Sequence, residues 1–181
     1  MRKFVIGLVV LGLVVALSCC LLLPDGLVVK GPVLNSITGR SVDSPTPETV
    51  GRRFVVAPGY RVELFADGIQ NARFLRFSPQ GTLVVSQPRL GRLLQIDRDA
   101  NGDGRSDGQR VLIEGLDRPH GFDFSADQLY VGEGGAIARI GYTESGPDTL
   151  RAGGAPIRIV SGLPEGENHW TRTVRIGPDG M

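Results

Sequence analysis

The residues best suited to chemistry are two histidines, His120 and His169, and the lone tryptophan, Trp170, which directly follows the second histidine. Each histidine stands just ahead of a segment in which apolar and polar residues alternate. When those segments are aligned on Phe77, Phe124 and Ile176, Arg73, His120 and Arg172 fall in one register. Polar neighbours gather at the same phase: Asn71, Arg118 and Asn168. A guanidinium grips carboxylates, an imidazole moves protons, and an indole stacks on a ring. Such a set suits an anionic or polyoxygenated ligand. A single histidine in this position would more often be a structural residue bonded to a turn; two at one phase favour function.

A second candidate is the acidic run from Asp97 to Asp107. Asp99, Asn101 and Asp103 occupy the first, third and fifth places of a calcium loop, Gly104 its sharp turn and Asp107 its ninth place. Arg110 stands where a bidentate carboxylate belongs. No helices are predicted around it, so calcium there would sit between strands and be structural. The competing reading is an acidic inter-strand turn. The glycine-bearing runs Glu133–Gly135 and Arg151–Gly154 precede no helical pattern and are not phosphate loops.

The elements that must position these residues repeat. Arg73–Phe77, a Ser-Pro-Gln-Gly turn and Thr82–Ser86 form one unit. His120–Phe124, Ser125–Asp127 and Gln128–Gly132 form the next. Arg172–Ile176 with Gly177–Gly180 opens a third. Further strands are expected at Arg92–Asp97, Val111–Glu114, Ala136–Tyr142 and Ile157–Ser161. Four strands per unit, recurring at roughly 50 residues, is the pattern of a β-propeller blade. Successive blades are related by rotation about one axis, so equivalent positions converge at one mouth of the channel. A β-sandwich of unrelated hairpins explains the recurring order less well. Only two to three blades are present, and the third unit halts at its turn, so the expectation is a propeller interrupted at Met181. Tyr60–Phe65 also alternates and is predicted to be a half-buried strand.

Ahead of the repeat, Arg2 and Lys3 precede an apolar run from Phe4 to Leu23. A basic start followed by such a run is read by export machinery, and its length is about that of a membrane span. Residues 1–23 are therefore expected to be a hydrophobic helix serving as a signal peptide or a membrane anchor. Cleavage after Ser18 and lipidation at the Cys19–Cys20 pair remain alternatives. Each reading places the rest of the chain outside the cytoplasm, in the periplasm or at the cell surface. Residues 24–53, with Pro32, Pro45 and Pro47, are expected to be a linker, and residues 54–181 the partial propeller.

Composition fits an all-β, turn-rich chain: 26 glycines and 12 prolines, yet 41% hydrophobic residues, too apolar for disorder. The 20 basic residues nearly cancel the 19 acidic ones, which speaks against a nucleic-acid partner. Both cysteines, Cys19 and Cys20, lie in the apolar run, leaving no disulfide framework, thiolate nucleophile or cysteine zinc site beyond it.

Three stretches carry a resemblance: Asn71–Pro79, Gly115–Phe124 and Gly162–Gly180. The third contains His-x-x-Arg followed by Gly-Pro-Asp-Gly. Together they resemble the soluble glucose/sorbosone dehydrogenases that depend on pyrroloquinoline quinone (PQQ). The resemblance implies a six-bladed propeller holding PQQ at its axial mouth with calcium assisting. It implies a histidine that removes a proton from the sugar or aldose hydroxyl, hydride transfer to the quinone, and an external electron acceptor. His169 matches that catalytic base and Arg172 the arginine after it; Arg73, His120, Asn168 and Trp170 fall where cofactor or substrate would bind. Asn168 replaces the aspartate usual in glucose-oxidising members, which weakens or reorients the base. His120, within Pro-His-Gly, is closer to the sorbosone branch. A non-catalytic sugar- or protein-binding propeller is the alternative, and a propeller lactonase fits less well because the expected axial residues are Arg and His instead of carboxylates.

Overall fold

The computed structural model describes residues 45–166 and 169–179. Residues 1–23, with the apolar run, most of the expected linker, Asn168 and the last two residues lie outside them. Among the described residues no helix is long and apolar enough to cross a membrane.

Within the expected linker, Pro47–Arg53 forms a short helix, α1, that linker composition did not suggest. The Thr46 side chain accepts from the Thr49 amide, Pro47 supplies a preset φ, and Glu48 opposes the basic last turn. Glu48 is more acidic than usual because it accepts backbone hydrogen bonds and one from Thr46.

Two antiparallel sheets follow. In the first, β1 (Leu75–Phe77), β2 (Leu83–Gln87), β3 (Arg92–Ile96) and β4 (Gln109–Ile113) lie side by side in sequence order. In the second, β5 (Phe122–Ser125) pairs with β6 (Gln128–Gly132), and β6 with the long β7 (Ala136–Thr143). The far edge of β7 is shared: its start pairs with β9 (Ile157–Ser161) and its end with β8 (Arg151–Ala152). Apart from β8, whose residues open the run Arg151–Gly154 expected as a glycine-bearing loop, these are the strands expected from the repeat. The third strand of each sheet carries a register shift between its second and third residues, at Leu93/Leu94 and Ile137/Ala138. A bulge bends and twists a strand locally.

One apolar cluster joins the two sheets. Val84, Leu93 and Ile113 from the first meet Phe122, Phe124, Leu129, Val131, Ala138 and Ile140 from the second. Phe122 packs edge-on to both Phe74 and Phe124. Val85, Leu94 and Ile96 face the other way, onto Ala66, Ile69 and Leu83. Alternation along each strand thus feeds two faces.

Two expected strands are absent as strands. Tyr60–Phe65 has no ladder partner, and Tyr60, Val62 and Phe65 are exposed. Alternation alone cannot supply backbone partners. Arg172–Ile176 keeps a strand-like alternation of burial but pairs in no ladder among the described residues. It lies instead beside β5, held as described below.

Candidate active site

The loop entering β5 is built on a buried carboxylate. Glu133, fully buried, accepts from the Asp117 amide at 2.7 Å and from Arg158 at 2.8 and 3.1 Å. The Gly134 amide donates to the Asp117 carbonyl and the His120 amide to the Gly132 carbonyl. Asp117–His120 is thereby fixed against the β6–β7 turn, with Arg118 in the left-handed region at φ 47°.

His120 stands between two aromatic residues from neighbouring units. Its ring centroid lies 6.2 Å from that of Phe74 and 6.2 Å from that of Trp170, nearly edge-on to the indole. Its Nδ1 is buried and has no hydrogen-bond partner. Burial lowers its pKa, a hydrogen bond with the Arg172 backbone opposes that shift, and the Arg73 charge reinforces it. The imidazole is therefore neutral near pH 7, with a lone pair available.

Arg118 reaches over the other side of the assembly, its guanidinium carbon 5.7 Å from the centre of the Trp170 ring. Asp117 and Glu165 pair with it and raise its pKa further. The sequence placed Arg118 near the mouth without giving it this partner; it gave Phe74 and Glu165 no role in the site and Glu133 only a place in a glycine-bearing run. An aromatic platform is decided by which loops meet, and no local pattern announces it.

The remaining predicted residues fall into two groups. Arg73 is exposed, close enough to His120 for its charge to be felt, and Trp170 is half-buried. Arg73, His120, Trp170 and the Arg172 backbone do come together. The Arg172 side chain, by contrast, donates to the carbonyls of His169 at 2.9 Å, Thr171 at 3.1 Å and Pro164, so it ties its own loop together. His169 is exposed; its amide donates to the Gly166 carbonyl at 3.1 Å across an isolated bridge. Asn71 uses its side chain to accept from the Arg89 amide. Asn168 lies outside the described residues.

The expected calcium loop is a self-contained turn. Asp99 accepts from the amides of Gly102, Asp103 and Gly104, Asn101 from that of Asp103, Asp103 from that of Arg105, and Asp107 from that of Ala100 and from the Asn101 side chain. Among the described residues no three His, Cys, Asp or Glu side chains are grouped so as to hold a metal ion. The side-chain oxygens of Asp99, Asn101, Asp103 and Asp107 accept from the amides of a glycine-rich turn. Arg110, in the place of the missing carboxylate, pairs with Asp97 at 2.9 Å.

A model of the TrAA12-like family matches residues 54–180. Among solved structures, the holo form of the pyranose dehydrogenase PQQ domain from Coprinopsis cinerea is similar at 27% identity and TM-score 0.58, over 69% of this chain and 29% of that one. The calcium structure of a Trichoderma reesei carbohydrate-active enzyme of family AA12 is similar at 21% identity and TM-score 0.57, over 69% of this chain and 31% of that one. The second likeness speaks to fold alone. The chain spans less than a third of either structure. No curated protein matches it significantly. The two sheets are thus blades of a partial β-propeller.

Proposed function

This chain belongs to the TrAA12-like family, and on that footing we propose that its blades serve a PQQ-dependent oxidation of a sugar or aldose hydroxyl carried out outside the cytoplasm. The observation that carries the reading is the rim where His120 stands between Phe74 and Trp170 with the Arg73 charge near enough to be felt, in a chain 27% identical to a PQQ domain over the aligned part. The export component rests on Arg2, Lys3 and the apolar run that follows.

The rim fits the cofactor. PQQ bears carboxylates on a flat ring system, and the rim offers a cation at Arg73, the His120 ring beside it and an indole at Trp170. Arg73 and His120 would hold it, with Trp170 bounding the space for it or for the sugar ring. When bound, PQQ supplies the two-electron acceptor for the hydride leaving the sugar carbon. His169, exposed on its turn, takes the hydroxyl proton as general base. Arg172 holds the turn's carbonyls and so fixes the His169 backbone. Arg118, paired with Asp117 and Glu165, lies over the indole. An external acceptor would take up the electrons.

The test uses full-length protein incubated with PQQ and assayed for sugar-dependent dye reduction. His169→Ala is expected to lower turnover by about a hundredfold or more with the melting temperature unchanged. Undiminished turnover would remove His169 from the mechanism. Sugar binding by the wild type without dye reduction would favour a non-catalytic binding propeller.

A further inference from the structure

Asp123 is 3% exposed and lies on β5, one position before the aligned Phe124. The same position in the first unit is Arg76 and in the third Arg175. Arg76 Nε lies 2.8 Å from Asp123 Oδ1, and Arg175 Nε 3.9 Å from Oδ2. The Phe124 amide donates to Oδ1 at 2.8 Å and the Ile176 amide to Oδ2 at 2.9 Å. One carboxylate thus binds the units on both sides of it.

The third unit's segment is also pressed onto β5 by shape. The Gly121 amide donates to the Arg172 carbonyl at 2.9 Å. A Cβ on Gly121 would stand 2.8 Å from Thr173 Cα, and one on Gly132 2.7 Å from both the Arg172 carbonyl oxygen and its Cβ. Neither glycine has positive φ, so close approach is what requires them.

We propose that Asp123, with the glycine groove beside it, is a positioning residue that sets the segment carrying His169 and Trp170 against His120. Its catalytic consequence rests on the function proposed above; the fastening itself does not. Two hydrogen bonds, at Arg172 and Ile176, with close packing at Thr173, fix the chain just after His169 and Trp170. A carboxylate is needed because both its oxygens must accept. With Asn in its place, the Oδ1 side faces two donors and keeps the amide oxygen. The amide nitrogen then meets the Ile176 N–H, and donor faces donor.

Full-length Asp123→Asn is compared with wild type by hydrogen exchange resolved to peptides and by PQQ-dependent sugar turnover. Gly121→Ala provides an independent second variant, which displaces the same segment without touching the carboxylate. In both, exchange over residues 172–177 is expected to rise by about tenfold, with β2 and β3 unchanged. Turnover number is expected to fall by about tenfold or more while sugar KM stays within about twofold, the mark of a misplaced base. Unchanged exchange over 172–177, or a uniform rise over all peptides, would overturn the fastening. Raised local exchange with undiminished turnover would overturn the positioning role. Absence of turnover in the wild type would instead defeat the functional reading, and exchange alone would still decide the fastening.

Discussion

Arg158 holds Glu133 with two bonds, Nε at 2.8 Å from Oε2 and Nη2 at 3.1 Å from Oε1. The carboxylate is fully buried while the arginine side chain is 47% exposed, so the pair joins the outer strand β9 to the loop under the candidate site. Arg158→Met should leave Glu133 buried with only the Asp117 amide beside it. The expected loss is about 2 kcal/mol, below the range for fully buried pairs because the arginine is half in water. Urea denaturation measures it. The same variant should weaken the edge contact of Trp170 with His120, since Asp117 and Arg118 ride on that loop.

Glu144, just after β7, clamps the first sheet. Thr82 Oγ1 donates to its Oε1 at 2.6 Å, Ser78 Oγ also donates, and the Gln80 amide lies 3.3 Å from Oε2. Thr82 Oγ1 accepts in turn from the Asp148 amide. Glu144→Ala should strand the buried Ser78 and Thr82 hydroxyls and lower stability by about 1–3 kcal/mol. Hydrogen exchange should rise first in the β1–β2 turn if the clamp is local.

His120 gives a pH signature. Its folded pKa lies below the ordinary 6.5, because burial and the Arg73 charge disfavour the imidazolium. In the interval between the folded and ordinary values the unfolded chain binds more protons. The contribution of His120 to stability is therefore complete above 6.5 and is lost as pH falls through 6.5 towards the folded pKa. His120→Gln should flatten the stability profile in that interval, as read by melting temperature against pH. A profile unaffected by the substitution would show that the burial is too slight to matter.

Gly91 is required by two constraints at once. Its φ is 60°, and a Cβ there would lie 2.6 Å from the Leu116 carbonyl oxygen. The Leu116 amide donates back to the Gly91 carbonyl at 3.0 Å, tying the β2–β3 turn to the loop that leads to His120. Gly91→Ala should cost on the order of 2–4 kcal/mol, measured by chemical denaturation.

Much of this was legible in the amino-acid order. Period-two alternation with Ser-Pro-Gln-Gly and Ser-Ala-Asp turns located β1, β2, β5 and β6 to within two residues at their ends, because alternation reports which face each side chain takes. The repeat placed Arg73, His120 and Arg172 in one register; His120 does bond the Arg172 backbone and feel the Arg73 charge. The register one step on, Arg76, Asp123 and Arg175, was equally visible as an alternation of charge but is meaningless until the strands are known to adjoin.

What the order of residues determined was local: the strands, the turns, and the phase at which polar residues recur. What only tertiary structure decided was partnership. Tyr60–Phe65 alternates as β1 does but lacks a ladder. The carboxylates at 99–107 carry calcium spacing but turn to their own amides. Arg172 gives its donors to carbonyls of its own loop, and Arg118 acquires Trp170 from a separate loop, with 51 residues between them. Hydrogen bonds and aromatic contacts are pairwise and short-ranged, so each depends on where the second group lies, which is set by packing between elements far apart in the chain.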